Sequence, residues 1–152
     1  MQTFLPYSDF YKSLDCLDLK RLNKQHVESY QIINTIENGG YWKNHPAVRM
    51  WSKNINALKE YFNINKQMCL DKGIKSNKLD FYDIKDNVVY PDWLGWKLFH
   101  ISMRSNLLLK DYNFYSKYGW KGYDIKGYFW PVIPKTKKSK DINELWVKFF
   151  KK

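Results

Sequence analysis

Apolar and polar positions alternate at helical spacing along the first third of the chain. From Asp18 onward Leu19, Leu22, His26, Tyr30 and Ile33 recur every three or four residues, the period of a helix face turned toward a core. Gly39-Gly40 closes that segment, and upstream Ser8 is placed to cap a short helix over SDFYKSLDCL. A second long helix is predicted from NHPAVRMW. Asn44 or His45 is its cap, and Pro46 sits in the first turn, where its missing N–H costs nothing. Val48, Trp51, Ile55, Leu58, Phe62, Asn65 and Cys69 form its inner stripe, and Lys72-Gly73 stops it. SNKLDFYDIKDNVVY reads as a connecting loop, with only VVY alternating weakly. A third helix starts near Trp93 and runs through WKLFHISMRSNLLLKD. Beyond it, YNFYSKYGWKGYDIKGYFWPVIP is aromatic, glycine-punctuated and without a clear period. PKTKKSK is a basic linker, and DINELWVKFFKK is an amphipathic helix opened by Asp141 and Glu144 at capping-box spacing. The pattern predicts an all-α fold: a compact single domain of three main helices with short extra ones and an irregular aromatic C-terminal segment. The helical domain spans residues 1–134, and the linker with its final helix spans 135–152.

Composition agrees with one folded domain. The 152 residues are 44% apolar and 18% aromatic, enough to build a core at this length. No apolar run approaches the ~20 residues needed to cross a bilayer, so no membrane partner is expected. MQTFLPYSDF lacks the basic start and apolar stretch of a secretion signal. Cys16 and Cys69 are too few and too far apart for a disulfide framework or a metal-binding pair, and they read as two core thiols of a protein kept in a reducing, intracellular compartment. Charge changes the picture most. Lys and Arg number 26 against 15 Asp and Glu, a formal net charge of +11, and such a field concentrates phosphate backbones.

Motifs exclude several chemistries. The chain has no P-loop, no GxGxxG, no GxSxG and no HExxH, so nucleotide phosphoryl transfer, serine hydrolysis and a zinc site lack support. No metal or cofactor is expected. The densest cluster of chemical groups is KRLNKQHVES, Lys20 to Ser29. With His26 marking the inner face, Arg21, Lys24, Glu28 and Gln31 project together on the opposite side. Two readings stand: a solvated helix side with Lys24 and Glu28 as an i,i+4 pair worth only ~0.2–0.5 kcal/mol, or a carboxylate set among cations that hold an anionic substrate. His26 itself reads as a buried, hydrogen-bonded histidine. The aromatic tail interleaves Tyr115, Tyr118, Trp120, Tyr123, Tyr128 and Trp130 with lysines, a mixture that suits stacking on bases and equally suits a core with lysines reaching outward.

MQTFLPYSDFYKSLDCLDLKRLNKQHVESYQI, then NHPAVRMW, PDWLGWKLFH and HISMRSNLLLKDYNFYSKYGW, resembles the pyrimidine-dimer DNA glycosylase/endonuclease V family over about residues 1 to 130. The likeness is greatest to the cellular branch that opens MQTFLPY. The resemblance implies a DNA-repair activity on double-stranded, damaged or modified DNA: excision of a base, then nicking at the abasic site. In the family's phage member the N-terminal α-amine attacks the sugar C1′ to form a Schiff base, and a helical glutamate moves protons. Glu28 matches that glutamate, with Arg21, Lys24 and Gln25 around it. Gln2 departs from the small residue that permits methionine removal, so the amine here belongs to Met1, with Lys24 the alternative. An α-amine titrates at about 7.7–8.0 when unperturbed, which offers a neutral nucleophile near neutral pH. His45, Arg49, His100, Arg104, Ser105 and Lys110 fall in the other matching segments and are the expected substrate-binding residues. His100 and Arg104 share one helical side and are expected at the Glu28 cleft, with Lys110 turned about 80° away. A non-catalytic nucleic-acid binder on the same fold, and a metal-independent nuclease or transferase on modified DNA, are the competing readings. The sequence leaves the lesion, DNA versus RNA, and the oligomeric state open.

Overall fold

The computed structural model describes residues 1–75, 78–121 and 125–132, and the architecture below refers to these. They form helices joined by turns and irregular segments, with no strand, VVY included. The basic linker, the DINELWVKFFKK helix and Tyr123 lie outside the described residues.

Helix α1 spans Phe10–Asp15, and its cap is Asp9, whose carboxylate accepts from Lys12 N at 2.7 Å, rather than Ser8. Helix α2 spans Leu19–Asn38; Asp18 caps it by accepting from Arg21 N, and Gly39, at φ +74°, ends it. Its buried stripe is Leu22, Gln25, His26, Ser29, Ile32 and Ile33. Leu19 and Tyr30, expected inside, are 56% and 37% exposed. The helix is turned so that two polar residues, Gln25 and Ser29, occupy core positions.

The expected second long helix is two. Helix α3 covers Pro46–Arg49 with His45 as cap, its Nδ1 accepting from Ala47 N at 3.0 Å, and α4 covers Ile55–Asp71. Between them Trp51, Ser52 and Asn54 donate three residues back, and Ser52 Oγ bonds the Arg49 carbonyl at 2.8 Å, so the backbone tightens out of the α-form. Of the forecast stripe, Val48, Trp51, Leu58, Phe62, Asn65 and Cys69 are buried and Ile55 is half-buried. Helix α5 runs Lys97–Lys110, later than the forecast Trp93 start, because Pro91 to Trp96 form turns around Gly95 at φ +99°. Helix α6, Tyr112–Tyr115, and a 3₁₀ turn over Ser116–Tyr118 follow.

α2 packs chiefly on α4, and α1 packs on α4 as well. One core cluster holds Leu14, Leu22, Ile33, Trp51, Leu58, Tyr61 and Phe62 together with Phe99, Met103 and Leu107 of α5. Both cysteines are free and buried, and burial pushes the Cys16 thiol up to about 12, so they are packing groups and not nucleophiles.

Candidate active site

The N-terminal segment before α1 has no regular secondary structure, so its backbone groups need partners from elsewhere. Buried side chains supply them. Gln25, on α2, accepts from Phe4 N at 2.8 Å through Oε1 and donates Nε2 to the Gln2 carbonyl at 2.6 Å. Tyr61 donates to the Phe4 carbonyl at 2.9 Å, and Trp51 Nε1 donates to Thr3 Oγ1 at 3.0 Å. His100 Nε2 accepts from Gly95 N at 2.9 Å, so Nδ1 carries the proton and donates to the Leu5 carbonyl at 2.8 Å. Arg104 Nη1 donates to the Pro6 carbonyl at 2.6 Å, and Ser13 Oγ accepts from Tyr7 N at 3.0 Å. Three helices thus hold one strap of chain from Gln2 to Pro6.

Met1 arrives at a cleft of about 590 Å³ lined by Gln2, Phe4, Asp18, Lys20, Arg21, Lys24, Glu28, Lys110, Asp111 and Tyr128. Its charges are partly paired. Arg21 meets Asp18 at 3.1 Å, and Lys24 meets Glu28 at 3.8 Å. Burial would raise the Asp18 carboxyl, but hydrogen bonds from Tyr115 and Arg21 outweigh it and hold the group below the usual carboxylate range. Burial, opposed by Arg21 and assisted by Glu28, pushes the Tyr128 phenol up to about 12, so it stays a neutral hydrogen-bonding wall. Among the described residues Lys20 and Lys110 have no ion-pair partner. Gln2 Oε1 accepts from Thr3 N at 2.8 Å, leaving its buried Nε2 without a partner among the described residues.

The structure sorts the expected site residues into two groups. Met1, Arg21, Lys24, Glu28 and Lys110 line the cleft. Gln25, His100 and Arg104 do not; they hold the strap behind it. For His100, both ring nitrogens are occupied, and burial, with the Arg104 charge adding to it and the Leu5 bond opposing, keeps the imidazole below the ordinary histidine range. So the expectation for α5 is reversed: Lys110, not the His100–Arg104 pair, reaches the cleft. Ser105 is buried within α5, and Arg49 lies outside the cleft lining. His45 caps α3, yet it stays within electrostatic reach of the site: burial first, and the charge of the Met1 amine second, lower its pKa. Gln31 lines a different hollow on α2, with Val27, Tyr30 and Leu79. His26 is buried as expected. Among the described residues the ion-pair partner of Glu28 is Lys24 and not the Met1 amine. The motif reading omitted Asp18, Lys20, Asp111 and Tyr128 from the site. Asp18 and Lys20 adjoin the basic stretch and were within reach of a helix-start argument; Tyr128 sits in a segment with no period to phase it.

A family model described as pyrimidine dimer DNA glycosylase matches residues 1–82. That match covers more than half of the chain and contains α1 through α4, including the strap and the α2 wall of the cleft. The chain belongs to this family, which places it among DNA-repair glycosylases with DNA as substrate. No curated protein and no solved structure matches it. Among the described residues no helix is long and apolar enough to cross a membrane.

Proposed function

We propose that the protein excises a damaged or modified base from double-stranded DNA and then cleaves the strand at the abasic site, with the Met1 amine as nucleophile and Glu28 as acid and base. The observation that carries this reading is the presence of Met1 and Glu28 in one cleft that Lys20, Arg21, Lys24 and Lys110 also line. The amine nitrogen bonds to C1′ of the sugar as the C1′–N glycosidic bond breaks, and the bond's electron pair leaves with the base, which takes up a proton. The nitrogen then gives up a proton, and its lone pair expels O4′ from C1′. O4′ is protonated and a Schiff base remains. Removal of a C2′ proton expels the 3′-phosphate, and water hydrolyses the imine to return the amine.

Glu28 suits two of these demands. A carboxylate beside C1′ stabilises oxocarbenium-like charge, as in glycoside cleavage, and within one water of the amine it relays protons. Lys20 and Lys110, free of ion-pair partners among the described residues, suit the flanking phosphates. Tyr128 offers a wall for a nucleotide taken out of the stack. Lys24 is the weaker nucleophile: its side chain is 71% exposed and its ammonium already faces Glu28, an arrangement that suits a counter-ion.

Borohydride trapping on an abasic-site duplex, with mass spectrometry of the linked peptide, tests the proposal. Linkage at Met1, abolished by N-terminal acetylation, is the expected result. Linkage that survives acetylation moves the nucleophile to a lysine. Duplex binding without any trapping makes the protein a non-catalytic binder.

A further inference from the structure

Tyr41 and Trp42 stand in the 3₁₀ turn Tyr41–Asn44, between α2 and α3, and are 90% and 54% exposed. They are the tip of an unbroken aromatic series that starts in the cleft. Phe4 and Tyr128, both cleft walls, meet at 6.3 Å between ring centroids, and Tyr128 meets Trp130 at 5.8 Å. Trp130 meets His45 at 5.6 Å, His45 meets Trp42 at 5.9 Å, and Trp42 meets Tyr41 at 5.0 Å. The contacts are tilted or edge-to-face, which fixes each ring against the next. His45, mid-series, is also within electrostatic reach of the Met1 amine. Residues 37–44 are all exposed, and apart from these two rings they are Glu37, Asn38, Gly39, Gly40, Lys43 and Asn44. Gly39 and Gly40 take φ +74° and +122° with nothing within 4 Å of an added Cβ. Their glycines therefore serve the backbone turn that lifts the tip and not a close contact.

We propose that the Tyr41–Trp42 tip is a wedge that enters the DNA base stack beside the cleft and keeps the duplex open while a nucleotide occupies the cleft. The proposal rests on the reading of the cleft given above. Two rings on a polar turn make a point and not a face, a shape that fits between base steps better than against a flat protein surface. Every base offers a π-face, so such stacking needs no sequence. Lys43 in the same turn and the cleft lysines supply charge for the phosphates on either side. A nucleotide leaves the stack only when its unstacking cost is offset, and a wedge offsets it at the step the cleft addresses.

The test uses a duplex with a central tetrahydrofuran abasic analogue, which binds without reacting, and 2-aminopurine beside it. Wild type is expected to brighten the 2-aminopurine on binding. Tyr41→Ala/Trp42→Ala, altered only at exposed positions, is expected to melt with wild type, to lose the brightening and to bind at least about tenfold more weakly. That defect is expected to shrink on a duplex already opened by three flanking mismatches. Equal brightening and affinity in the two proteins would overturn the wedge and leave the cleft reading intact. A wild-type dimer that the double variant turns into a monomer would make the tip a protein interface, and would also overturn it. Lys20→Ala/Lys110→Ala reports on the cleft separately and is expected to weaken both duplexes alike. Should that variant bind like wild type, DNA does not sit in the cleft, and the wedge defined beside it falls as well.

Discussion

At Gln25 one amide side chain satisfies two backbone groups lying 21 and 23 residues upstream, at Phe4 and Gln2. Replacing it by Leu keeps the volume but strands the Phe4 N–H in the core, at a cost of about 1–3 kcal/mol. Gln25→Leu is expected to lower the urea midpoint and to raise amide exchange at residues 2–5 before that of α4; unchanged exchange there would show that other contacts hold the strap alone. Glu28 behaves differently. Its partner Lys24 is exposed, so the pair contributes little to stability, about 0–1 kcal/mol. Glu28→Gln is expected to reduce base excision by roughly 10²–10⁴-fold, the range of general acid–base catalysis, with the thermal midpoint nearly unmoved. An activity close to wild type would remove the carboxylate from the mechanism.

The elements differ in what they contribute to the site. α2 supplies its chemical wall, α4 and α5 supply the groups that hold the strap, and α3 positions His45 between cleft and tip. Because burial, with the Gly95 N–H donating to Nε2, favours the neutral form of His100, the anchoring of the strap to α5 depends on pH. Its folded pKa is lowered, as are those of His26 and His45. A histidine depressed in the folded state contributes stability that is fully present above its unfolded value, about 6.5, and that is lost as pH falls through the folded one. The thermal midpoint is expected to fall as pH drops below about 6.5. His100→Gln should start lower and show a shallower decline, retaining the share due to His26 and His45. An undiminished slope in that variant would place the titration elsewhere.

For the molecule as a whole, the formal charge of +11 sets how it meets a polyanion. Each phosphate neutralised contributes roughly 0.9 to the slope of log affinity against log salt. If Lys20 and Lys110 each contact one phosphate, their joint replacement by Ala lowers that slope by about 1.8. Titrations of one duplex at several salt concentrations measure it directly. A slope equal to that of wild type would mean that the binding charge lies outside the cleft.

Helical period alone placed α2 and most of the inward stripe of α4, since apolar spacing reports burial when the neighbours are apolar too. Gly39 and Lys72-Gly73 marked two helix ends and His45 one start, whereas α1 is capped by Asp9 and not Ser8; the local clustering of Arg21, Lys24 and Glu28 was legible as one helix side. The strap was not legible. Gln25, His100 and Arg104 carry groups that suit a substrate as well as a backbone carbonyl, and only the tertiary arrangement shows that the carbonyls of Gln2, Leu5 and Pro6 occupy them. The same holds for Lys110 and Tyr128, which reach the cleft from segments far along the chain. Spacing describes one element at a time, whereas a cleft exists only where several elements stop short of one another.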